Sequence, residues 1–166
     1  LEGLAKMLPY AKFPFLTANY DFSNTPLKGK TRDYIIFRKQ DLRIGVFGLG
    51  IQLAGLVDPT NCRDVKYVDP VPIANTLASR LKHDYKCSLV ICLSHLGYRY
   101  ADNQVSDRVL AADTRCIDLI IGGHTHTFMP EPEHIRNLDG QVTTINQVGF
   151  AGINLGRLDY VFERTT

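Results

Sequence analysis

The chain has 166 residues, of which 45% are hydrophobic and 22% charged, a composition typical of a globular domain and not of a disordered chain. Its net charge of +2 and the lack of any Lys- or Arg-rich run give no indication of a nucleic-acid partner. The longest aliphatic runs, about five residues, are far shorter than the roughly 20 residues of a membrane-spanning helix. We therefore expect one soluble domain with no membrane segment.

The first residues have the pattern of a helix that is already under way. Leu1, Leu4 and Leu8 share one helical face, and no capping residue precedes them. We therefore expect the chain to be the later part of a longer protein.

The first third of the chain is predicted to be rich in β structure. Residues 13–20 form a short apolar run, and residues 34–50 are typical of a β-hairpin with its turn at residues 38–41. The glycine-rich stretch GVFGLG does not match GxGxxG, and a turn signal follows it where a phosphate-binding loop needs a helix. We interpret these glycines as structural.

The middle of the chain predicts a helix at residues 69–85, a buried strand at 88–95, a helix at 101–114 and a second buried strand at 117–124. This order indicates a parallel βαβ unit within residues 88–124 and an α/β fold. The tail is predicted to return to β structure at residues 141–148 and 153–163, with core contacts from Leu155, Leu158, Tyr160 and Phe162.

The four cysteines (Cys62, Cys87, Cys92 and Cys116) form no CxxC pair. A domain of this size does not need disulfides, and Cys87 and Cys92 flank an apolar strand as small core residues often do. We expect no disulfide framework, which leaves the redox compartment open.

Three histidines follow the two predicted parallel strands. His95 lies just past the first strand, and His124 and His126 lie just past the second. The carboxyl ends of neighbouring parallel strands, about 4.8 Å apart, lie side by side, and ligands of open α/β sheets bind in the crevice there. If the second segment is extended, residues 124 and 126 point to the same side, and Gly122 and Gly123 leave room for a turn. Because imidazole is a common ligand of borderline metals, we predict a metal site formed by these three histidines.

Other polar residues are weaker candidates. His83 on a helix and His134 in a loop are expected to be solvated, and Arg99 could meet a phosphate but is better explained as solvated. The carboxylates that could act as ligands by type are Asp21, Asp102, Asp107, Asp113 and Asp118. Among them, Asp107 and Asp113 are predicted on a helix surface and Asp118 at the far end of its strand. Among them, only Asp21, together with Asn19, could approach the edge of the site.

The stretch SHLGY at residues 94–98, followed by DLIIGGHTHT at residues 118–127, resembles the calcineurin-like metallophosphoesterases, in particular their 5′-nucleotidase branch. FPFLTANYDF near the start and NQVGFAGINLGRLDYVFE near the end extend the resemblance over nearly the whole chain. It implies a layered αββα sandwich and two divalent metals such as Zn²⁺ or Mn²⁺, with His95 and His124 on one and His126 on the other. It also implies that the two ions act on a phosphate in an in-line displacement, with nucleotides or related phosphoesters as substrates.

The sequence also departs from that family, since its DxH, GDxxD and GNHE motifs do not occur here. They supply the bridging aspartate, most ligands of one metal and a histidine that assists the leaving group. We therefore expect residues 1–166 to be the second half of a catalytic domain, incomplete in its N-terminal strands. Such a chain would bind at most one ion, be inactive by itself and form homo-oligomers through the surface left exposed.

The resemblance implies export to the periplasm or cell surface, with any signal peptide outside this sequence. Two alternatives stay open: another phosphoesterase of the family, such as a cyclic-nucleotide phosphodiesterase, and a metal-binding α/β domain without catalysis.

Overall fold

A computed structural model describes residues 1–102 and 104–163 of the chain. The helices are α1 (Glu2–Met7), α2 (Pro59–Cys62), α3 (Pro70–Ser79) and α4 (Asp107–Asp113), with a 3-10 turn at Leu8–Tyr10 and a π-helical turn at Arg80–Asp84. The strands are β1 (Tyr20–Asp21), β2 (Tyr34–Lys39), β3 (Leu42–Gly50), β4 (Lys66–Tyr67), β5 (Leu89–His95), β6 (Leu119–Ile121), β7 (Glu133–Arg136) and β8 (Val142–Asn146).

The described strands form a six-stranded sheet in the order β2-β3-β5-β6-β8-β7, and β1 pairs with β4 in a separate ribbon. The four central strands are parallel, whereas β2 and β7 add antiparallel edges. The α/β class and the βαβ unit are confirmed, because β5 and β6 pair in parallel with α4 between them. The hairpin is also confirmed, with a turn of only two residues between β2 and β3.

The core lies between one face of this sheet and helices α3 and α4. Its fully buried strand residues are Phe47, Val90, Cys92, Ile120 and Ile145. Burial of each large apolar side chain contributes about 1.5–3 kcal/mol relative to exposure, so this layer dominates the stability of the fold.

Local sequence explains where the two packing helices begin. Asp69 caps α3 by accepting a hydrogen bond from the Val71 amide, and Pro70 occupies the first helical position. The Ser106 hydroxyl caps α4 in the same way by accepting from the Val109 amide. As a result, α4 begins at Asp107, later than the predicted helix at 101–114.

The glycines of GVFGLG lie within β3 and permit close packing on both sides. A Cβ atom at Gly48 would overlap the carbonyl of Leu16, and one at Gly50 would overlap the ring of Tyr20. The structural interpretation of these glycines is thus confirmed, because only a residue without a side chain lets another segment lie so close.

The second face of the sheet carries Leu89, Ile91, Leu119 and Ile121, and residues 154–162 of the tail lie over it around a cavity of about 620 Å³. The prediction of β structure in the tail is confirmed at residues 141–148, which contain β8, and wrong at residues 153–163, which contain no strand. A strand needs the free backbone groups of a sheet edge, and the tail crosses a face. Leu155 is 96% exposed and is not a core contact.

The prediction for residues 13–20 is also wrong in extent. The structure has only the two residues of β1, plus an isolated bridge between Leu16 and Arg32.

The N-terminal helix is confirmed as α1, all four cysteines are free, and Cys87 and Cys92 are buried as expected. Within residues 1–102 and 104–163, no helix has the length and apolarity needed to cross a bilayer.

Candidate metal centre

The candidate site lies at the carboxyl ends of β5 and β6. His95 is the last residue of β5 and pairs with Gly50 in the parallel ladder with β3. Because side chains alternate along a strand, the preceding Ser94 points to the buried helical side and His95 points to the opposite face. His124 follows three residues after the end of β6.

The structure brings the rings of His95 and His124 together. Their centroids are 5.1 Å apart with an angle of 72° between the ring planes, an edge-on arrangement. Burial lowers the pKa of His95 from its ordinary value, and the nearby His124 and His126 lower it further. A neutral imidazole is the form that binds a metal, so both effects favour metal binding by His95.

His126 is oriented differently. Its ring stacks on Phe150, with centroids 5.0 Å apart and an angle of 21° between the planes. His124 and His126 have φ values of 72° and 53°, so the expectation of an extended segment is wrong. The rule that residues i and i+2 of an extended segment point to the same side therefore does not apply to these two histidines.

In the described part of the chain, no group of three or more His, Cys, Asp or Glu side chains is arranged to hold a metal ion. A stable zinc site in a protein uses at least three protein ligands. The pair of His95 and His124 therefore fits one part of a metal site by its chemistry and spacing, and further donors are needed to complete it.

The loop at residues 122–127 is shaped by its glycines and by one glutamine. A Cβ atom at Gly123 would lie 3.1 Å from Nδ1 of His95, a tight contact, so glycine eases the close approach of the two segments. The side-chain amide of Gln147 donates to the Gly123 carbonyl at 2.8 Å and its oxygen accepts from the Thr127 amide at 2.6 Å. Gln147 thus fastens both ends of the loop, a role that no sequence pattern indicated.

Asn19 lies at the edge of the site, but its polar atoms are already engaged. It is fully buried and exchanges two hydrogen bonds with the backbone of Gly50, the residue opposite His95. Asp21 accepts hydrogen bonds from Ser23 and forms an ion pair with Lys66 at 3.8 Å. Asn19 therefore supports the strand end, and Asp21 stabilises a turn.

The remaining candidates lie apart from the pair. Asp118 binds Lys82 at 2.9 Å and accepts from the Val90 amide at the opposite end of the sheet, as predicted. Asp102, Asp113 and Arg99 are exposed. His83 and His134 are also exposed, beside Cys116 and Thr144 respectively.

Asp107 contradicts the prediction of a helix-surface residue. It is 0% exposed, and its Oδ1 atom accepts a hydrogen bond from the Ser94 hydroxyl at 2.5 Å. Its other oxygen, Oδ2, is buried without a hydrogen-bond partner. Burial raises the pKa of this carboxyl to about 7, while the hydrogen bond from Ser94 and the nearby Gln147 amide act in the opposite direction. The helix N-terminus points into the strand ends, so its first residue is enclosed.

Two open cavities flank His124. One of about 430 Å³ also contacts His95, Tyr20 and Leu49. The other, of about 880 Å³, is lined by Tyr67, Tyr100 and Asp69 among others. The pair is therefore accessible to a ligand from both sides.

The chain is similar in sequence to parts of known proteins, among them a nucleotide phosphoesterase. The chain is 31% identical over 132 residues to protein 5NUC of Lutzomyia longipalpis, a match that covers 78% of the chain and 22% of that protein. It is 28% identical over 169 residues to the trifunctional nucleotide phosphoesterase protein YfkN of Bacillus subtilis, covering 92% of the chain and 11% of that protein. No family model matches the sequence.

Solved structures give the same result for the fold. Haemophilus influenzae NAD nucleotidase superposes with a TM-score of 0.72 at 25% identity, over 88% of the chain and 27% of that structure. The 5′-nucleotidase precursor from Thermus thermophilus superposes with a TM-score of 0.69 at 27% identity, over 87% of the chain and 29% of that structure. The chain thus spans less than a third of the length of these relatives.

Proposed function

Because the homologues and structural neighbours of this chain are 5′-nucleotidases and calcineurin-like phosphoesterases, we propose that it is part of a metal-dependent phosphohydrolase that removes phosphate from nucleotides. The observation that carries the proposal is the edge-on pair of His95 and His124 at the carboxyl ends of two adjacent parallel strands. Ligand sites in open α/β sheets lie at this edge.

His95 and His124 would hold one divalent ion such as Zn²⁺ or Mn²⁺, and His126 is the third imidazole that we assign to the centre. When bound, such ions polarise a phosphoryl oxygen and lower the pKa of a bound water. The chain's own contribution is positional. The β3–β5 ladder fixes His95, and Gln147 fixes the loop that carries His124.

The isolated chain is proposed to bind at most one ion, weakly, and to be inactive. Two imidazoles leave at least half of a metal's coordination positions to other donors, and the described residues bring no carboxylate into a cluster with them. In-line displacement between two ions needs both to be held at fixed positions, so an incomplete ligand set removes most of the rate.

The decisive test uses the longer gene product that contains this sequence. We expect it to release phosphate from AMP in the presence of Mn²⁺ or Zn²⁺, and we expect His95→Ala and His124→Ala to abolish the release. His134→Ala is the matched control, because His134 is exposed on the edge strand β7, where it contacts its ladder partner Thr144 and neither paired histidine. A product that folds, binds metal and leaves AMP intact would contradict the proposal. Cleavage of a cyclic nucleotide instead would favour the phosphodiesterase alternative.

Metal binding by the isolated chain can be measured by calorimetric titration with Zn²⁺ and Mn²⁺. We expect no more than one ion per chain, with affinity reduced by His124→Ala and unchanged by His134→Ala. Tight uptake of two ions would show that the chain holds further ligands. A periplasmic or extracellular location is part of the same proposal and is testable by fractionation of the source cells.

A further inference from the structure

The buried carboxyl of Asp107 lies between the two segments that carry the paired histidines. We propose that Asp107 is a positioning residue, which joins the end of β5 to the loop at residues 122–127 and so sets the distance between His95 and His124. The inference rests on the proposed function only because it concerns the same two histidines. Its test measures the proximity of their rings in the absence of metal and substrate.

On the β5 side, the link runs through Ser94. The Ser94 hydroxyl donates to Oδ1 of Asp107 at 2.5 Å and accepts from the Leu96 amide at 3.1 Å. The Asp107 amide in turn donates to the Gly97 carbonyl at 2.7 Å. The backbone on both sides of His95 is therefore attached to the first residue of α4.

On the loop side, the contact is with Gly122 and Gln147. A Cβ atom at Gly122 would overlap Oδ2 of Asp107, so the carboxyl lies directly against the start of the loop. The Gln147 amide lies next to the same carboxyl and also donates to the Gly123 carbonyl at 2.8 Å. The Gln147 oxygen accepts from the Thr125 hydroxyl at 3.2 Å and from the Thr127 amide at 2.6 Å. Asp107 and Gln147 thus form one polar cluster beneath the whole loop.

The loop needs such support because its backbone is strained. His124 and His126 both have left-handed φ values, a conformation that non-glycine residues keep only when their surroundings enforce it. Gln147, whose amide lies beside the Asp107 carboxyl, makes three described hydrogen bonds to this loop, and the Tyr98 amide adds one to the Thr125 hydroxyl at 2.9 Å.

A carboxyl group is an unfavourable choice for mere packing at this position. Asp107 is 0% exposed and its Oδ2 atom has no hydrogen-bond partner, so an apolar side chain of similar size would fill the space at lower free-energy cost. In metal sites, the groups that orient the ligands typically change affinity about 10–100-fold when they are removed. A fully buried carboxyl with an unpartnered oxygen is thus expected where the group orients the two histidines.

The test is NMR of the metal-free chain, labelled at histidine, in three variants. Asp107→Asn keeps the shape of the side chain but places an amide donor against the Gln147 amide. Ser94→Ala removes only the hydroxyl that links Asp107 to β5. Thr143→Val is the matched control, because Thr143 is equally buried and its hydroxyl donates to the Ile117 carbonyl at 2.7 Å, at the opposite end of β6 from the loop.

We expect the NOE between the rings of His95 and His124 to be lost or clearly weakened in Asp107→Asn, with shifted ring-proton signals for both. Ser94→Ala should shift the His95 signals more than those of His124. Thr143→Val should lower the melting temperature and leave the NOE and both sets of signals unchanged.

A folded Asp107→Asn variant with the wild-type NOE and signals would overturn the proposal. If Asp107→Asn does not fold, Ser94→Ala decides in its place, and unchanged His95 signals in that variant would also overturn it. Neither result bears on phosphate release by the longer protein, so failure of this inference and failure of the proposed function are distinguishable.

Discussion

Asn19 and Gly50 are joined by two hydrogen bonds of 2.8 Å, one in each direction between the side-chain amide and the backbone. Gly50 is the ladder partner of His95. The backbone N–H and C=O of Gly50, at the end of β3, thereby have hydrogen-bond partners, as they would if another strand continued the sheet. The position of His95 therefore depends on a side chain 76 positions earlier in the sequence.

Replacing Asn19 by Ala is therefore expected to destabilise the fold strongly. It leaves a buried N–H and a buried C=O of Gly50 without partners, and each such group costs about 1–3 kcal/mol, so we expect a loss of about 3 kcal/mol. Urea unfolding measures it. Asn75→Ala is the control, since Asn75 also bonds one backbone carbonyl and one backbone amide, but at an exposed site. Equal losses in the two variants would show that burial of Asn19 is not the cause.

The pKa of His95 in the metal-free chain is expected below the ordinary histidine value. Burial is the larger cause, and the positive charge that His124 acquires on protonation is the next. We expect His124→Ala to raise the pKa of His95 only part of the way back, because burial remains. An NMR titration of the His95 ring signals measures the change. A His95 pKa that does not respond to His124→Ala would contradict the close approach of the two rings.

Asp107 should make the fold less stable as the pH rises. Its pKa is raised to about 7 in the folded state, above the unfolded value, so the folded chain holds more protons between those two values. Stability is therefore expected to fall from about pH 4 to about pH 7 and to level off above that range. A shift of about three units corresponds to about 4 kcal/mol at most.

The measurement is the free energy of unfolding in urea across that pH range. Asp107→Asn cannot lose a proton and should show a flatter profile than the wild type. Parallel profiles for the two proteins would indicate that the carboxyl stays charged in the folded state.

The second face of the sheet is expected to drive self-association. Leu93 and Ile121 are 40% and 44% exposed there, next to the apolar cavity beneath the tail. Burial of a few hundred Å² of apolar surface would contribute several kcal/mol at about 25 cal/mol per Å², before the cost of association. We therefore expect a dimer or larger assembly at micromolar concentration.

Light scattering coupled to size exclusion gives the mass directly. Ile121→Lys should shift the chain toward the monomer, whereas Leu138→Lys, at a 52% exposed leucine in the β7–β8 turn, should have no effect. A wild-type monomer with a cooperative melt would rule out the assembly.

The central strands and α3 were predictable because their apolar patterns and caps are local. The proximity of His95 and His124 was predictable too, because parallel connection brings successive strand ends to one edge. The orientation of His126 was not, since it depends on Phe150, 24 positions later, and on a left-handed backbone.

Asp107 shows a different limit. A residue at the first position of a short helix is ordinarily exposed, and only the tertiary contact with Ser94 and Gly122 encloses it. One signal was available in the sequence. Ser94 occupies a position of β5 whose side chain faces the buried helices, and a buried hydroxyl needs a partner.

The two paired histidines are held by different means. His95 belongs to a strand whose backbone is paired up to its last residue, whereas His124 lies beyond a strand of only three residues, on a loop held by side chains. Divalent ions differ in radius, and a site can accept more than one of them only if some ligand adjusts. At the proposed site, the adjustment would fall on the loop, where it disturbs no ladder hydrogen bonds. The range of ions that the proposed site accepts would then be set by the stiffness of a few side-chain contacts beneath His124.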